Sequence, residues 1–599
     1  MRRIGKIILW LLASVGAAGV ISLIFAAVFV SRIGDSAPDL PDRMVLSLDL
    51  NAGVTEQSTE NAFELFQGDG RIEIRKLADT LEKASKDDRV EGVVVRLGTA
   101  RLSVAQAQEV RTVVKRFRKS GKFALAYADS FGQVSNSTIE YYVASAFDEV
   151  WMQPSGELAI TGLMLEMPFV GDALNSIGVK AKIRQRREYK SAPDTFTRNS
   201  LSKPARKNLQ QLVDSLFNQI VAGIAESRKL PTQQVRDLID NSPLLSAQAQ
   251  SAKLIDRLDY WPQFVEAAKV HSGKKSSLIK LRRYSADGDL PNRSGPKVAL
   301  IYGVGAIVSG KKKSSPFDSG SYVAASQMAR AIDAAAKDDT VKAILLRIDS
   351  PGGSYLASDT IWNAVRRANA KGKPIIASMG AIAASGGYYI AMAADKVIAQ
   401  PGTITGSIGV YGGKFVSEGL WSKLGINWQG VHAGRNATMW SGVRDYPPGA
   451  EARLDAIMDA IYADFTTKAA KARSLSTKRI DAAARGRVFS GVDALAAGLV
   501  DKLGGFDTAL ATVKQAIGLK PDQSITLVRM PKRLPIMQRL LKLVTGESDG
   551  VKSTFADILG LEDLIGDGVR RQIGPIARDL EFLRPPVGRL QMPPIRFQY

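Results

Sequence analysis

The chain has 599 residues, 45% hydrophobic and 23% charged, which excludes a mainly disordered or collagen-like polymer and leaves room for about three or four folding units. It contains no cysteine, so structural disulfides, a thiolate nucleophile and zinc–cysteine sites are excluded. Its net charge of +22 is spread along the whole length without a zinc-finger, RNP or basic-zipper pattern, so an anionic membrane surface is the expected partner of that charge and nucleic acid is not.

At the amino terminus no ionisable residue occurs between Lys6 and Arg32. As a helix rising about 1.5 Å per residue, those roughly 25 residues exceed the ~30 Å hydrocarbon core of a bilayer. The run is longer than the roughly 7–15 apolar residues of a cleavable signal, and no A-x-A-like site ends it. Arg2, Arg3 and Lys6 precede it, which favours an inside amino terminus. Residues 1–43 are therefore expected to hold a cytoplasmic start, a transmembrane signal anchor and a linker. The bulk of the chain is placed outside the cytoplasm; a removed signal and a buried core helix are the alternatives.

The proline-containing "SAPDLPDR" leads into the first globular part, and "YSADGDLPNRSGPK" divides the rest into two similar lengths. The two lengths repeat one pattern. "KDDRVEGVVVRLG" from Lys86 answers "KDDTVKAILLRID" from Lys337 at an offset of 251, and "YYVASAFDEVWMQPSGELAITG" from Tyr141 answers "YYIAMAADKVIAQPGTITGSIG" from Tyr388 at an offset of 247. A loop between them is expected to absorb the four-residue slip. "KVALIYG", "VKAILLRID" and "KPIIASMG" read as buried strands; "YVAASQMARAIDAAAK" and "YLASDTIWNAVRRANA" read as helices between them. Alternating β and α elements imply parallel strands with crossover helices, so the fold class is α/β, built twice: a first repeat over 44–290 and a second over 296–520. The basic tail, 521–599, carries one apolar helical pattern at Ile536, Met537, Leu540, Leu541, Leu543 and Val544, suited either to a membrane surface or to packing on its own protein.

The second copy holds the chemistry. Strand "VKAILLRID" runs into "SPGGS" and the next strand into "MGAIAASGGYYIA", so both glycine-rich turns open at the strands' carboxyl ends, where ligands collect in parallel sheets. Ser385 stands at the start of the following helix, where free N–H groups favour developing negative charge. Gly352, Gly353, Gly386 and Gly387 leave the backbone unobstructed and suit an oxyanion hole. Taken alone, Ser385 reads more readily as a helix cap than as a nucleophile. Its base is open at this level. His271 and His432 are the only histidines, and a lysine serves only as the free amine, its pKa lowered from about 10.4 by apolar burial.

"DSPGGS", "GAIAASGGYYIA", "GTITGSIGV" and "RVFSGVDALAAGLVDKLGG" together resemble the signal peptide peptidase A family in its long bacterial form, over about residues 1–520. The resemblance implies tandem ClpP/crotonase-like domains behind one transmembrane helix and peptide hydrolysis by a Ser/Lys dyad. In that family the lysine lies in a "YKSA" setting of the first repeat; "RREYKSAPDTF" puts it on Lys190, and the nucleophile on Ser385. The repeats agree with this split. At their offsets "SGG" becomes "TIE", with Thr138 opposite Ser385, and "PGG" becomes "ARL" at 100–102; Lys190 projects onto about Ala437, with no lysine between Lys423 and Lys468. Gly353 and Gly386 are the expected oxyanion donors, and Ser191 a candidate to orient the lysine.

The resemblance further implies signal-peptide remnants and other short or unfolded peptides as substrates, membrane lipid as neighbour, a homo-oligomer (a tetramer in the long form), and a site on the periplasmic side of the bacterial inner membrane. No cofactor is expected: H-E-x-x-H is missing, and "GAIVSGKK" has Lys312 where a P-loop needs Ser or Thr. A peptide-binding scaffold and a crotonase-like acyl-thioester enzyme are the alternatives.

Overall fold

The computed structural model describes residues 39–57, 70–286, 290–310, 322–531, 589–592 and 596–598. The expected signal anchor and the apolar pattern at 536–544 lie outside the described residues. Among the described residues no helix is long and apolar enough to cross a membrane.

The first repeat is a sheet of six parallel strands in the order Arg257–Leu258, Glu149–Met152, Phe123–Ala128, Val90–Arg96, Met44–Asp49, Ser277–Lys280. The second repeats that order with Lys502–Leu503, Lys396–Ala399, Ile375–Ala384, Val341–Ser350, Lys297–Val304 and Thr526–Arg529. Even a register shift recurs at the same place, between Met44 and Val45 and between Lys297 and Val298. The tandem α/β reading therefore stands for both parallel sheets.

These strands form where they do because both of their faces are covered, which calls for continuous apolar runs. Val93 and Val95 pack under helices Ile74–Lys86 and Val104–Arg118, while Val94 between them points to the opposite face and helix Trp261–Val270. In the second repeat Ile344, Leu346 and Ile348 face helices Ala325–Lys337 and Tyr355–Ala370, and Ala343 and Leu345 face helix Phe506–Ala516. Each large aliphatic side chain so buried contributes roughly 1.5–3 kcal/mol.

The four-residue slip has a definite location. In the second repeat strand Ile375–Ala384 runs straight into Ser385, whereas in the first the matching strand stops at Ala128 and the loop 129–137 intervenes before helix Thr138–Ala144. The extra residues thus lie directly before the counterpart of Ser385.

Several contacts join the repeats. Helix Val104–Arg118 lies against the second repeat, where Gly402 N donates to Gln108 Oε1 (2.7 Å) and Phe506 N to Glu109 Oε1 (2.7 Å). Arg347, 1% exposed, ties Glu56 and Glu109 together across the boundary, with Nη2 2.7 Å from a carboxylate oxygen of each. Separately, strand Lys180–Arg186 of the first repeat pairs antiparallel with Val410–Val416 of the second along its whole length, Arg186 opposite Val410. Ion pairs of Lys182 with Asp445, Arg184 with Glu451 and Arg186 with Asp455 and Asp459 flank that ladder.

Candidate active site

The antiparallel register decides where Lys190 goes. The ladder ends with Arg186 opposite Val410, and the turn that follows, in which Lys190 N donates to Arg187 O (3.1 Å), brings the Lys190 side chain to Ser407. The Gly406 carbonyl accepts the Ser385 N–H at 2.8 Å. A first-repeat lysine is thereby delivered to a second-repeat serine: Lys190 Nζ lies 2.8 Å from Ser385 Oγ, and both side chains are fully buried.

Three polar groups surround the amine: Ser385 Oγ at 2.8 Å, and the carbonyl and hydroxyl oxygens of Ser407, each at 3.0 Å. Without its extra proton the amine has two N–H donors and one lone pair, enough to donate twice to Ser407 and to accept from the Ser385 hydroxyl. Burial holds the Lys190 pKa well below its ordinary value, and among the described residues no carboxylate is a partner of its amine.

The lysine is fixed from the second repeat. Tyr189 N donates to Arg485 O (3.1 Å), Glu188 pairs with Arg485, and Arg487 lies over the Tyr189 ring and donates to its hydroxyl. Gly486 packs so closely that a Cβ there would fall 2.3 Å from Lys190 N, and its φ of +88° is open to glycine alone at little cost. Neighbouring strand Val488–Phe489 is held by Asn208 of helix Lys203–Arg228, whose amide bonds both backbone groups of Val488 at 2.9 Å.

Ser385 has φ 56° and ψ −113°, and its side chain makes no cap hydrogen bond. The cap reading is thus set aside: the hydroxyl points to the lysine from a strained strand-to-helix turn, of a kind that costs about 1–3 kcal/mol and must be held by its surroundings. Gly353 and Gly386 are neighbours, since a Cβ on Gly386 would lie 3.1 Å from Gly353 N. The helix after Ser385, Gly386–Ala391, has only six residues, so its two or three free N–H groups matter more than any long-range dipole.

Several sequence expectations change here. Ser191 is buried beside the lysine but is not among the partners of its amine; Ser407 holds that place. His271 and His432 are both exposed, His271 against Phe123, and neither shares the buried position of Ser385. Ser407 was readable in part: at the offset of 247 it answers Ile160, so it too is a hydroxyl kept only in the second copy. In the first copy the Thr138 hydroxyl is occupied, 2.6 Å from Asn136 Oδ1 and accepting Gly162 N at 3.0 Å, and Ala437, the counterpart of Lys190, is exposed. Among the described residues no cluster suited to a metal ion occurs.

A hydroxyl beside a buried amine of depressed pKa, with the backbone of Gly353 and Gly386 next to it, is equipped for acyl transfer, and this chemistry on a parallel α/β sheet defines a serine hydrolase. Sequence comparison narrows the class. Residues 116–275 and 367–520 match Peptidase family S49, and residues 321–404 match Clp protease. The chain belongs to peptidase family S49 and is a serine peptidase.

Its relatives include the chloroplastic serine protease SPPA of Arabidopsis thaliana, 29% identical over 514 residues that cover 84% of this chain and 74% of that one. Protease 4 of Haemophilus influenzae is 28% identical, covering 85% and 84%, and Protease 4 of Salmonella typhi is 30% identical, covering 80% and 79%.

Proposed function

We propose that the chain is a membrane-anchored serine endopeptidase in which Ser385 and Lys190 form a catalytic dyad across the two repeats. The observation that carries this reading is the 2.8 Å approach of Lys190 Nζ to Ser385 Oγ, in surroundings that leave the amine uncharged. Lys190 takes the Ser385 proton as Oγ attacks the scissile carbonyl carbon. The carbonyl electron pair moves to oxygen, and the N–H groups of Gly353 and Gly386 receive that oxyanion; such donors are worth roughly 2.7–4 kcal/mol each. The resulting ammonium of Lys190 protonates the leaving amine, which breaks the peptide bond and leaves an acyl-enzyme on Ser385. The amine then takes a proton from water, hydroxide attacks the ester, and Ser385 is released with its proton. Ser407 holds the lysine through both proton transfers, with Ser191 behind it as part of the same buried turn.

The substrates proposed are short or unfolded peptides, including signal-peptide remnants left in the membrane, because a buried hydroxyl is reached only by an extended chain. The apolar run before Arg32 would hold the site at the outer face of the bacterial inner membrane, and a tetramer would restrict entry further. Peptide hydrolysis by wild type, Ser385→Ala and Lys190→Ala, with fluorophosphonate labelling of Ser385, tests the dyad. Loss of turnover in both variants, and of labelling in Lys190→Ala, is expected; an intact rate in either variant overturns it.

A further inference from the structure

The mixed sheet beside Ser385 contains a strand that neither repeat supplies. Its order is Tyr322–Ala324, Ala306–Val308, Gly352–Ser354, Arg589–Gln591, Val410–Val416, Lys180–Arg186. Arg589–Gln591 comes from the carboxyl-terminal segment, more than fifty residues beyond the second parallel sheet, and it fills the slot between the glycine strand and the strand that guides Lys190. It pairs antiparallel with Gly352–Ser354, placing Gly353 opposite Leu590, and bridges Tyr411 on its other edge through Arg589.

The register makes this more than adjacency. Met592 N donates to Pro351 O at 2.9 Å. Bonded pairs alternate along an antiparallel ladder, so the next bonded pair is Gly353 with Leu590, and the Gly353 N–H is directed at the Leu590 carbonyl. The donor assigned above to the oxyanion is therefore engaged by a backbone carbonyl of the chain itself. Met592 is then 3% exposed, in the same buried cluster as Ala384, Ile404 and Val488 around the site. Beyond it Arg596–Gln598 pairs antiparallel with Met164–Glu166 of the first repeat. Met164–Glu166 and the Tyr411 edge correspond at the offset of 247, so the tail is gripped by equivalent strands of both copies.

We propose that the strand Arg589–Gln591, followed by Met592 and anchored by Arg596–Gln598, is an intramolecular ligand of the peptide groove that occupies the site in the free enzyme and that substrate must displace. The inference rests on the reading of Ser385 and Gly353 given above. Recognition runs through main-chain hydrogen bonds, as when a peptide is added to a sheet edge, so a substrate strand of quite different sequence competes for the same slot. A tethered competitor raises the apparent KM by a factor of one plus the ratio of occupied to free sites and leaves kcat alone, because every molecule that has bound substrate has already released its tail.

Two variants of the full chain dislodge the strand in different ways. Leu590→Pro removes the N–H that pairs with the Gly353 carbonyl, and Met592→Asp places a charge in an apolar pocket. Both should lower KM for a fluorogenic peptide about tenfold or more with kcat within about twofold of wild type, and a synthetic peptide of residues 587–599 should inhibit both variants competitively. Binding is read separately, with the fluorescein-labelled peptide and chains that also carry Ser385→Ala: anisotropy should rise with the tail variants and stay low with the chain whose tail is intact. Unchanged KM in both variants, or equal peptide binding whether or not the tail is altered, overturns the proposal. The anisotropy measurement needs no turnover, so failure of the dyad would leave its outcome standing and the two readings are separable.

Discussion

Replacing Lys190 with methionine keeps the length of the side chain and removes the titrating group, and two consequences can be worked out from the site. The amine is fully buried, its polar neighbours are all hydroxyl or carbonyl oxygens, and burial alone depresses its pKa well below 10.5. The unfolded chain binds a proton there at every pH below about 10.4. The folded chain binds none until the pH falls below the depressed value. Between those limits the unfolded state carries one more proton, so stability rises with pH by about 1.4 kcal/mol per unit. The gain is complete above the unfolded pKa, and the slope vanishes below the folded one, where both states are protonated. Lys190→Met abolishes that slope. It also leaves the Ser407 oxygens without their donor, at about 1–3 kcal/mol, but this cost does not vary with pH, so the slope is the diagnostic quantity. Unfolding free energies of both proteins, compared over the pH units below about 10 and above the depressed folded value, should diverge in favour of wild type by about 1.4 kcal/mol for each unit of rising pH. Peptide hydrolysis should fall about 10²–10⁴-fold, the usual contribution of a positioned general base. A stability difference that is flat over this range would mean that the lysine is charged in the folded state, and would refute the reasoning.

Ser407→Ala removes one acceptor of the lysine amine, so kcat should fall roughly 2- to 10-fold with KM unchanged. Because a hydroxyl acceptor favours the ammonium, the acid limb of the pH–rate profile should move to lower pH; an unmoved limb would deny Ser407 a positioning role. In Gly486→Ala the new Cβ, 2.3 Å from Lys190 N at a φ of +88°, should displace the lysine and lower kcat/KM at least about tenfold while circular dichroism stays unchanged; full activity would show that residues 485–487 do not hold it. Arg347→Met strands Glu56 and Glu109 between the repeats, at an expected cost of about 3–5 kcal/mol in urea unfolding. That loss should shrink as pH falls, since burial already raises the Glu109 pKa and protonation removes its unpaired charge; a loss independent of pH would assign it to packing alone.

What the sequence made legible follows from how each element is buried. "VKAILLRID" and its counterpart read as strands because parallel strands covered on both faces must be apolar throughout. Ser385 and the glycine turns stood out because a small-residue break directly after such a run has few purely structural uses. The strap Lys180–Arg186 did not stand out. "KAKIRQR" has no apolar alternation, and its place is set by backbone pairing and by ion pairs with residues some 260 positions away. Spacing therefore could not say how Lys190 reaches Ser385; only the family resemblance and the complementary losses of the two copies pointed there. Ser407 lies within "GTITGSIGV" without a signal of its own, since its function depends on a carbonyl and a hydroxyl turned towards one amine. The terminal strand was invisible for a related reason: a segment recognised through its main chain carries no side-chain signature.

The division of labour between the copies has an energetic logic. A strained nucleophile turn and a buried amine each cost stability, and a site that needs both must be supported by packing around it. The first copy has shed the strain: Ser137, before the counterpart of Ser385, has φ −131°, and the Thr138 hydroxyl is satisfied locally. It keeps the strap, and its long helix Lys203–Arg228 reaches across to Val488. The second copy keeps the strained turn and encloses the amine with Ser407 and Gly486. Each cost thus falls where the other copy supplies the support, and the approach of Lys190 to Ser385 needs both copies. On the dyad proposed above, activity is a property of the docked pair. Substitutions at Gln108, Asn208 or Arg347, which join the repeats without touching the nucleophile, should cost turnover at denaturant concentrations where both parallel sheets are still intact.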